Sequence, residues 1–161
     1  MEPPVTQRSP DSLEERVLQN ARGDRVTLLN FGARLASIEL QLPDGVRNVI
    51  LGYEDHAGHL TDPYFMGATV GRTCNRIARA HFKLDGVDYA LDANEGENHL
   101  HGGAGGFHNR HWSIDTAVPD DTVRFRLRSV DGDQGYPGTL EASVTYRWTD
   151  ERELRPTGQH M

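Results

Sequence analysis

The sequence predicts an all-β sandwich or barrel. Three observations carry that prediction. Apolar residues recur with a period of two, turn signals separate short runs, and no stretch holds the 3.6-residue period of a long helix. At 161 residues the chain suits one domain.

Residues 1–13 carry Pro3, Pro4 and Pro10 without periodicity and read as a flexible N-terminal arm. Residues 13–18 fit either a helical turn or the entry to a first strand. Over residues 36–42, Ala36, Ile38, Leu40 and Leu42 alternate with Ser37, Glu39 and Gln41, and Pro43-Asp44-Gly45 then makes a turn. A short β-branched run follows at 46–51. Residues 80–91 read as a hairpin. Ala80, Phe82 and Leu84 share a face, Asp85-Gly86 suits a type I′ loop, and Val87, Tyr89 and Leu91 return on the same face. Later, Val123, Phe125 and Leu127 alternate with Arg124, Arg126 and Arg128. After the turn-rich residues 131–138, Leu140, Ala142, Val144, Tyr146 and Trp148 alternate with polar residues. This is the pattern of an antiparallel sheet covered on one face. Arg–Glu pairs across its wet face are expected, each contributing about a few tenths of a kcal/mol.

Composition excludes several classes. The balance of 24 Asp+Glu against 17 Lys+Arg, a net charge of −7, argues against a nucleic-acid binder, which needs a basic surface. No apolar run approaches the roughly 18 residues of a membrane helix. Met1-Glu2-Pro3-Pro4 lacks the regions of a signal peptide, and a single cysteine, Cys74, excludes an intramolecular disulfide framework. A soluble cytoplasmic protein is expected, with no membrane or nucleic-acid partner.

Three segments look too specific to be scaffold alone: residues 67–77, residues 98–103 with the following Gly105-Gly106-Phe107 and Trp112, and Gly135-Tyr136-Pro137-Gly138. In the first, Arg76 offers a planar fork of donors and Asn75 an amide that both donates and accepts. The second sets imidazoles beside paired glycines, where backbone approaches a ligand closely. Trp112 offers an aromatic face for the apolar side of a sugar ring, or a core residue. Such mixed lining suits a polyol. Four histidines, His99, His101, His108 and His111, crowd into thirteen residues and invite a metal reading. Their spacings fit no catalytic zinc motif, and no metal site is expected.

At these segments the chain resembles the N-terminal half of the aldose 1-epimerase, or galactose mutarotase, family. The matching run begins near Leu29-Asn30-Phe31-Gly32-Ala33 and continues through Val49-Ile50-Leu51-Gly52-Tyr53 and Pro63-Tyr64-Phe65. It takes in Gly71-Arg72-Thr73-Cys74-Asn75-Arg76-Ile77, Asn98-His99-Leu100-His101-Gly102-Gly103 and Gly135-Tyr136-Pro137-Gly138, and reaches Glu153-Leu154-Arg155. The resemblance implies a galactose mutarotase-like β-sandwich, a supersandwich, here incomplete. The domain is expected over residues 14–155, with a divergent tail at 156–161 whose Pro156 suits a central strand poorly.

The resemblance also implies the chemistry. Family members interconvert the α and β anomers of free aldoses such as galactose and glucose, without metal or organic cofactor. A base removes the anomeric proton while an acid protonates the ring oxygen. Asn75 and Arg76 match the pair that binds sugar hydroxyls, and His101 matches the substrate-contacting His before two glycines. Trp112 takes a supporting place. The family's principal acid, a His downstream of the Gly-Tyr-Pro-Gly turn, and its base, a Glu further on, have no match here, nor has its sugar-gripping Asp. The chain is therefore expected to carry substrate-binding residues and no catalytic ones. The alternatives are a non-catalytic carbohydrate-binding module, a fragment that self-associates or takes a partner chain through unfinished sheet edges, and a hexose-6-phosphate epimerase relative. The last calls for basic residues around the pocket, for which Arg72, Arg79 and Arg110 are unassigned.

Overall fold

Period-two alternation produces two antiparallel four-stranded sheets. The computed structural model describes residues 12–160. The first sheet runs in the order β1 (Glu15–Gln19), β2 (Arg25–Leu29), β3 (Arg34–Leu42) and β4 (Gly45–Asn48). The strand reading of residues 13–18 thus prevails over the helical turn. The expected arm falls almost entirely on residues outside the described ones.

Between the sheets, in chain order, lie two small ladders. Strand β5 (Arg76–Ile77) pairs with β8 (His99–Leu100), and β6 (His81–Leu84) pairs with β7 (Val87–Ala90). The β6–β7 hairpin has the expected register, Leu84 opposite Val87. Asp85 and Gly86 both take positive φ, 49° and 82°, as a type I′ loop requires. Its base is buried at Ala80 and Leu91, while Leu84 and Val87 at the tip are half exposed.

The second sheet contains β9 (Ser113–Asp115), β10 (Thr122–Ser129), β11 (Leu140–Trp148) and β12 (Leu154–His160), with β12 and β9 at its edges. Phe125 faces Val144 and Leu127 faces Ala142 across β10 and β11. On the other face Arg128 sits opposite Glu141 and pairs with it at 3.2 Å, as the alternation predicts. Strand β12 runs from the expected domain into the expected tail, and Pro156 lies within it opposite Tyr146. An edge position accepts that residue, because one side of the strand needs no donor.

One apolar cluster joins the sheets: Leu18, Val26, Leu28 and Ala33 meet Val123, Phe125, Val144, Tyr146 and Trp148. The result is the all-β sandwich expected from the sequence. Tyr146 donates its hydroxyl to Ala33 O at 2.9 Å, tying β11 to the start of β3. A polar clamp adds to it at one end. Asp24 is fully buried between the β1–β2 and β11–β12 turns, accepting from Gln41 N at 2.7 Å and from Arg152 Nε at 2.7 Å. The Arg152 guanidinium holds the Asp24 carboxyl well below the usual carboxylate range. The β-branched run at 46–51 behaves differently. Strand β4 ends at Asn48, and Val46, Val49 and Leu51 are exposed.

No helix among the described residues is long and apolar enough to cross a membrane.

Candidate functional site

The small ladder of β5 and β8 carries two of the three distinctive segments side by side. Arg76 lies opposite Leu100, and His101 immediately follows β8. Asn75 and His101 both sit in left-handed backbone, with φ of 63° and 53°. That conformation costs a non-glycine residue about 1–3 kcal/mol and persists where surroundings enforce it. Here reciprocal hydrogen bonds do so. Asn75 N–H donates to His101 Nδ1 at 3.0 Å, and His101 N–H donates to Asn75 O at 3.1 Å.

The glycines make this approach possible. A Cβ on Gly71 would stand 2.6 Å from Gly102 Cα and from His101 O. Gly102 itself has φ +84°, and its Cβ would meet Gly71 Cα at 2.7 Å. The two loops therefore touch backbone to backbone. Gly71→Ala is expected to force them apart, at about 1–3 kcal/mol for an over-packed contact. Scanning calorimetry checks the fall in thermal midpoint, and an unchanged midpoint contradicts the contact.

Hydrogen-bond directions define what the site offers. Because His101 Nδ1 accepts, its proton sits on Nε2, which becomes a donor. Arg76 makes a two-bond ion pair with Glu95 through Nε and Nη2, and Nη1 donates to Asn75 Oδ1 at 3.3 Å. Three of the five guanidinium N–H groups are thereby used and two remain. Asn75 Oδ1 accepts that bond with one of its two lone pairs, and the amide NH₂ adds two further donors. The site thus presents donors, from Arg76, Asn75 and His101 together. Glu95 neutralises the Arg76 charge. The hydrogen bond from Arg76 holds the Glu95 carboxyl below its ordinary value, and Glu95 raises the guanidinium in return. A neutral array rich in donors suits the hydroxyl and ring oxygens of a polyol better than an anion.

Behind the donors, Phe65 (φ 57°) packs its ring between His101 and His108, with centroids 4.8 and 4.7 Å away. A buried ion pair fixes that loop. Arg34 Nη1 donates to Asp62 Oδ2 at 2.6 Å, both side chains being essentially inaccessible. Asp62 also accepts from Tyr64 N at 2.9 Å and Met66 N at 2.8 Å, the two neighbours of Phe65. Sequence reasoning missed Arg34, Asp62 and Glu95. The first two each adjoin a quoted run, Ala33 preceding Arg34 and Pro63 following Asp62, so one more residue on each would have contained them. Glu95 lies in a polar loop with no local signal.

The remaining candidates resolve as structure. Trp112 is in the sheet core, and its Nε1 donates to Phe107 O at 3.0 Å. Arg72 donates to Ser129, Val130 and Pro137, and Arg110 is paired with Asp133. The Arg72 and Arg110 side chains are thus committed to structural partners, while Arg79 bonds Asn98 Oδ1 through its backbone N–H. The clustered histidines take separate partners: His99 faces Asp92 O, His101 faces Asn75 N, His108 faces Val70 O, and His111 packs on Phe31. Among the described residues no group of three metal-ligating side chains converges.

Comparison with known proteins agrees with this arrangement. The profile of the family described as aldose 1-epimerase matches residues 15–158. The aldose 1-epimerase of Escherichia coli K12 is 41% identical over 152 residues, which is 92% of this chain and 44% of that protein. The galactose mutarotase of Bos taurus is 39% identical over 123 residues, 76% of this chain and 35% of that protein. Among solved structures, an aldose epimerase homologue from C. elegans superposes with a TM-score of 0.86 at 30% identity, over 93% of this chain and 46% of that one. Galactose 1-epimerase from Lactobacillus acidophilus NCFM gives 0.82 at 30% identity, over 96% and 46%. The chain spans under half the length of these relatives. With its fold, its motifs in order and a profile match over most of its length, the chain belongs to the aldose 1-epimerase family.

Proposed function

We propose that this chain forms the substrate-binding half of an aldose 1-epimerase site. Asn75, Arg76 and His101 hold a free aldose such as galactose or glucose while its anomers interconvert. The observation that carries this reading is the reciprocal Asn75–His101 hydrogen bonding, which sets three donor groups beside one another. In the reaction, a base takes the proton of the anomeric hydroxyl and an acid protonates the ring oxygen. The ring opens, the C1–C2 bond rotates, and closure on the other face returns both protons. The acid and base come from outside these 161 residues. What this chain supplies is orientation, since donors on the ring hydroxyls keep the sugar in place while C1 turns. A cytoplasmic setting fits a single, exposed cysteine.

Calorimetric titration with galactose and polarimetry of fresh α-galactose test this reading. The chain is expected to bind galactose in the millimolar range or tighter and to leave the mutarotation rate at that of buffer. Absence of binding overturns the sugar site. Mutarotation well above buffer overturns the placement of the acid and base outside this chain.

A further inference from the structure

The three distinctive segments lie far apart in sequence, yet one hydrogen-bond chain, buried at its centre, joins them. It begins at the carbonyl oxygen of Asp92, which only accepts. His99 Nδ1, 2.7 Å away, must therefore carry its proton and donate. In the neutral imidazole His99 Nε2 is left as an acceptor, and the Tyr136 hydroxyl then donates to it at 2.9 Å. Having given its one proton, the Tyr136 oxygen accepts, and the Thr73 hydroxyl donates to it. With the imidazole neutral, a single backbone carbonyl thus sets the direction of every bond in the series.

The surroundings hold this series still. His99 is wholly inaccessible and Tyr136 nearly so. The Tyr136 ring lies 5.3 Å from His99 edge to face, and the Arg72 guanidinium stands 5.7 Å from its centroid. Arg72, next to Thr73, is itself anchored to Ser129 Oγ, Ser129 O, Val130 O and Pro137 O. The Arg72 and Thr73 side chains therefore bind residues 72–73 to the end of β10 and to the connection between β10 and β11. The reciprocal bonds to His101 hold the left-handed Asn75 from one side, and this anchor lies just before it in the chain.

We propose that His99 and Tyr136 are positioning residues of the sugar site, acting through Thr73 to hold the Asn75–Arg76 loop against His101. The proposal rests on the sugar-binding reading above. Tyr136→Phe keeps the ring but leaves His99 Nε2 without its donor and the Thr73 hydroxyl without its acceptor.

The test is titration of the full chain with galactose, together with thermal midpoints, for the wild type, Tyr136→Phe, Thr73→Val and the double variant. Each single variant is expected to weaken binding about tenfold, and the double variant no further, because both break one chain. Thr73→Ser, which retains the hydroxyl, is expected to restore most of the affinity that Thr73→Val loses. If Tyr136→Phe does not fold, the Val-against-Ser comparison at residue 73 decides alone. Lowered midpoints with unchanged affinity overturn the positioning role and leave the sugar site standing. Absence of galactose binding by the wild type overturns both. Imidazole ¹⁵N spectra supply a readout independent of sugar: the proton is expected on Nδ1 of His99, and a proton on Nε2 overturns the direction of the series.

Discussion

Asp62→Ala is expected to destabilise the protein by about 3–5 kcal/mol, the cost of leaving one member of a buried ion pair without the other. The Arg34 guanidinium would lose its 2.6 Å carboxylate partner inside the protein, where it already contacts His59 Nδ1 at 3.2 Å and His108 O at 3.3 Å. Its Nε and His59 Nε2 are buried with no partner among the described residues, so little remains nearby to compensate. The backbone N–H groups of Tyr64 and Met66 would lose their acceptor as well. Denaturant unfolding measures the effect. The companion variant, Arg34→Met with Asp62→Leu, is expected to cost less than Asp62→Ala, since replacing both charges removes the uncompensated one. If the double variant is the less stable of the two, the energy lies in the pair itself.

The same cluster predicts the acid sensitivity of the fold. Burial raises the Asp62 carboxyl, but bonds from Tyr64, Met66 and Arg34 outweigh it, and the net displacement is downward. A carboxyl lowered in the folded state stabilises fully above its unfolded value of about 3.9, and the contribution is lost as pH falls from there through the folded value. For His59, burial lowers the imidazole and Arg34 lowers it further. The unfolded chain then takes up that proton first, so stability also declines as pH falls below about 6.5. His108, lowered chiefly by burial, acts in the same direction. Two phases are expected, a shallow loss below about pH 6.5 and a deeper one below about pH 4. His59→Gln should reduce the first and leave the second.

Arg76→Ala is expected to weaken galactose binding by roughly two orders of magnitude, because it removes donors from a charged fork and leaves Glu95 as an uncompensated anion beside the sugar. Arg76→Lys should lose about tenfold, since an ammonium keeps the charge but not the two-bond geometry with Glu95. The thermal midpoint should move by less than about 2 °C in either variant, because the pair is solvent-exposed. Titration and calorimetry on the same samples separate these effects. Retained affinity in Arg76→Ala would exclude the guanidinium from the site.

Most of the fold was legible because strand faces and tight turns are local properties. The alternation over residues 36–42 and 140–148 follows from side chains pointing to opposite faces of a pleated strand. Asp85-Gly86 closes the hairpin because those two residue types tolerate positive φ. The exposure of Val46, Val49 and Leu51 was not legible, since a β-branched run reads the same whether or not a second layer covers it.

For the site, residue chemistry and family resemblance singled out Asn75, Arg76 and His101 from the sequence, and the structure shows how they are held together. Asn75 and His101 are 26 residues apart, Arg76 and Glu95 are 19, Arg34 and Asp62 are 28, and Thr73 and Tyr136 are 63. The all-β class, the strand faces, the hairpin loop and the family were readable from the residues alone, because each depends on short-range sterics or on motifs in order. Which charges are buried and which donors are spent emerged only from the folded arrangement. Those outcomes depend on partners that meet after the chain has closed over long loops, and a hydrogen bond is made or lost on distances of a few tenths of an ångström that no local pattern encodes.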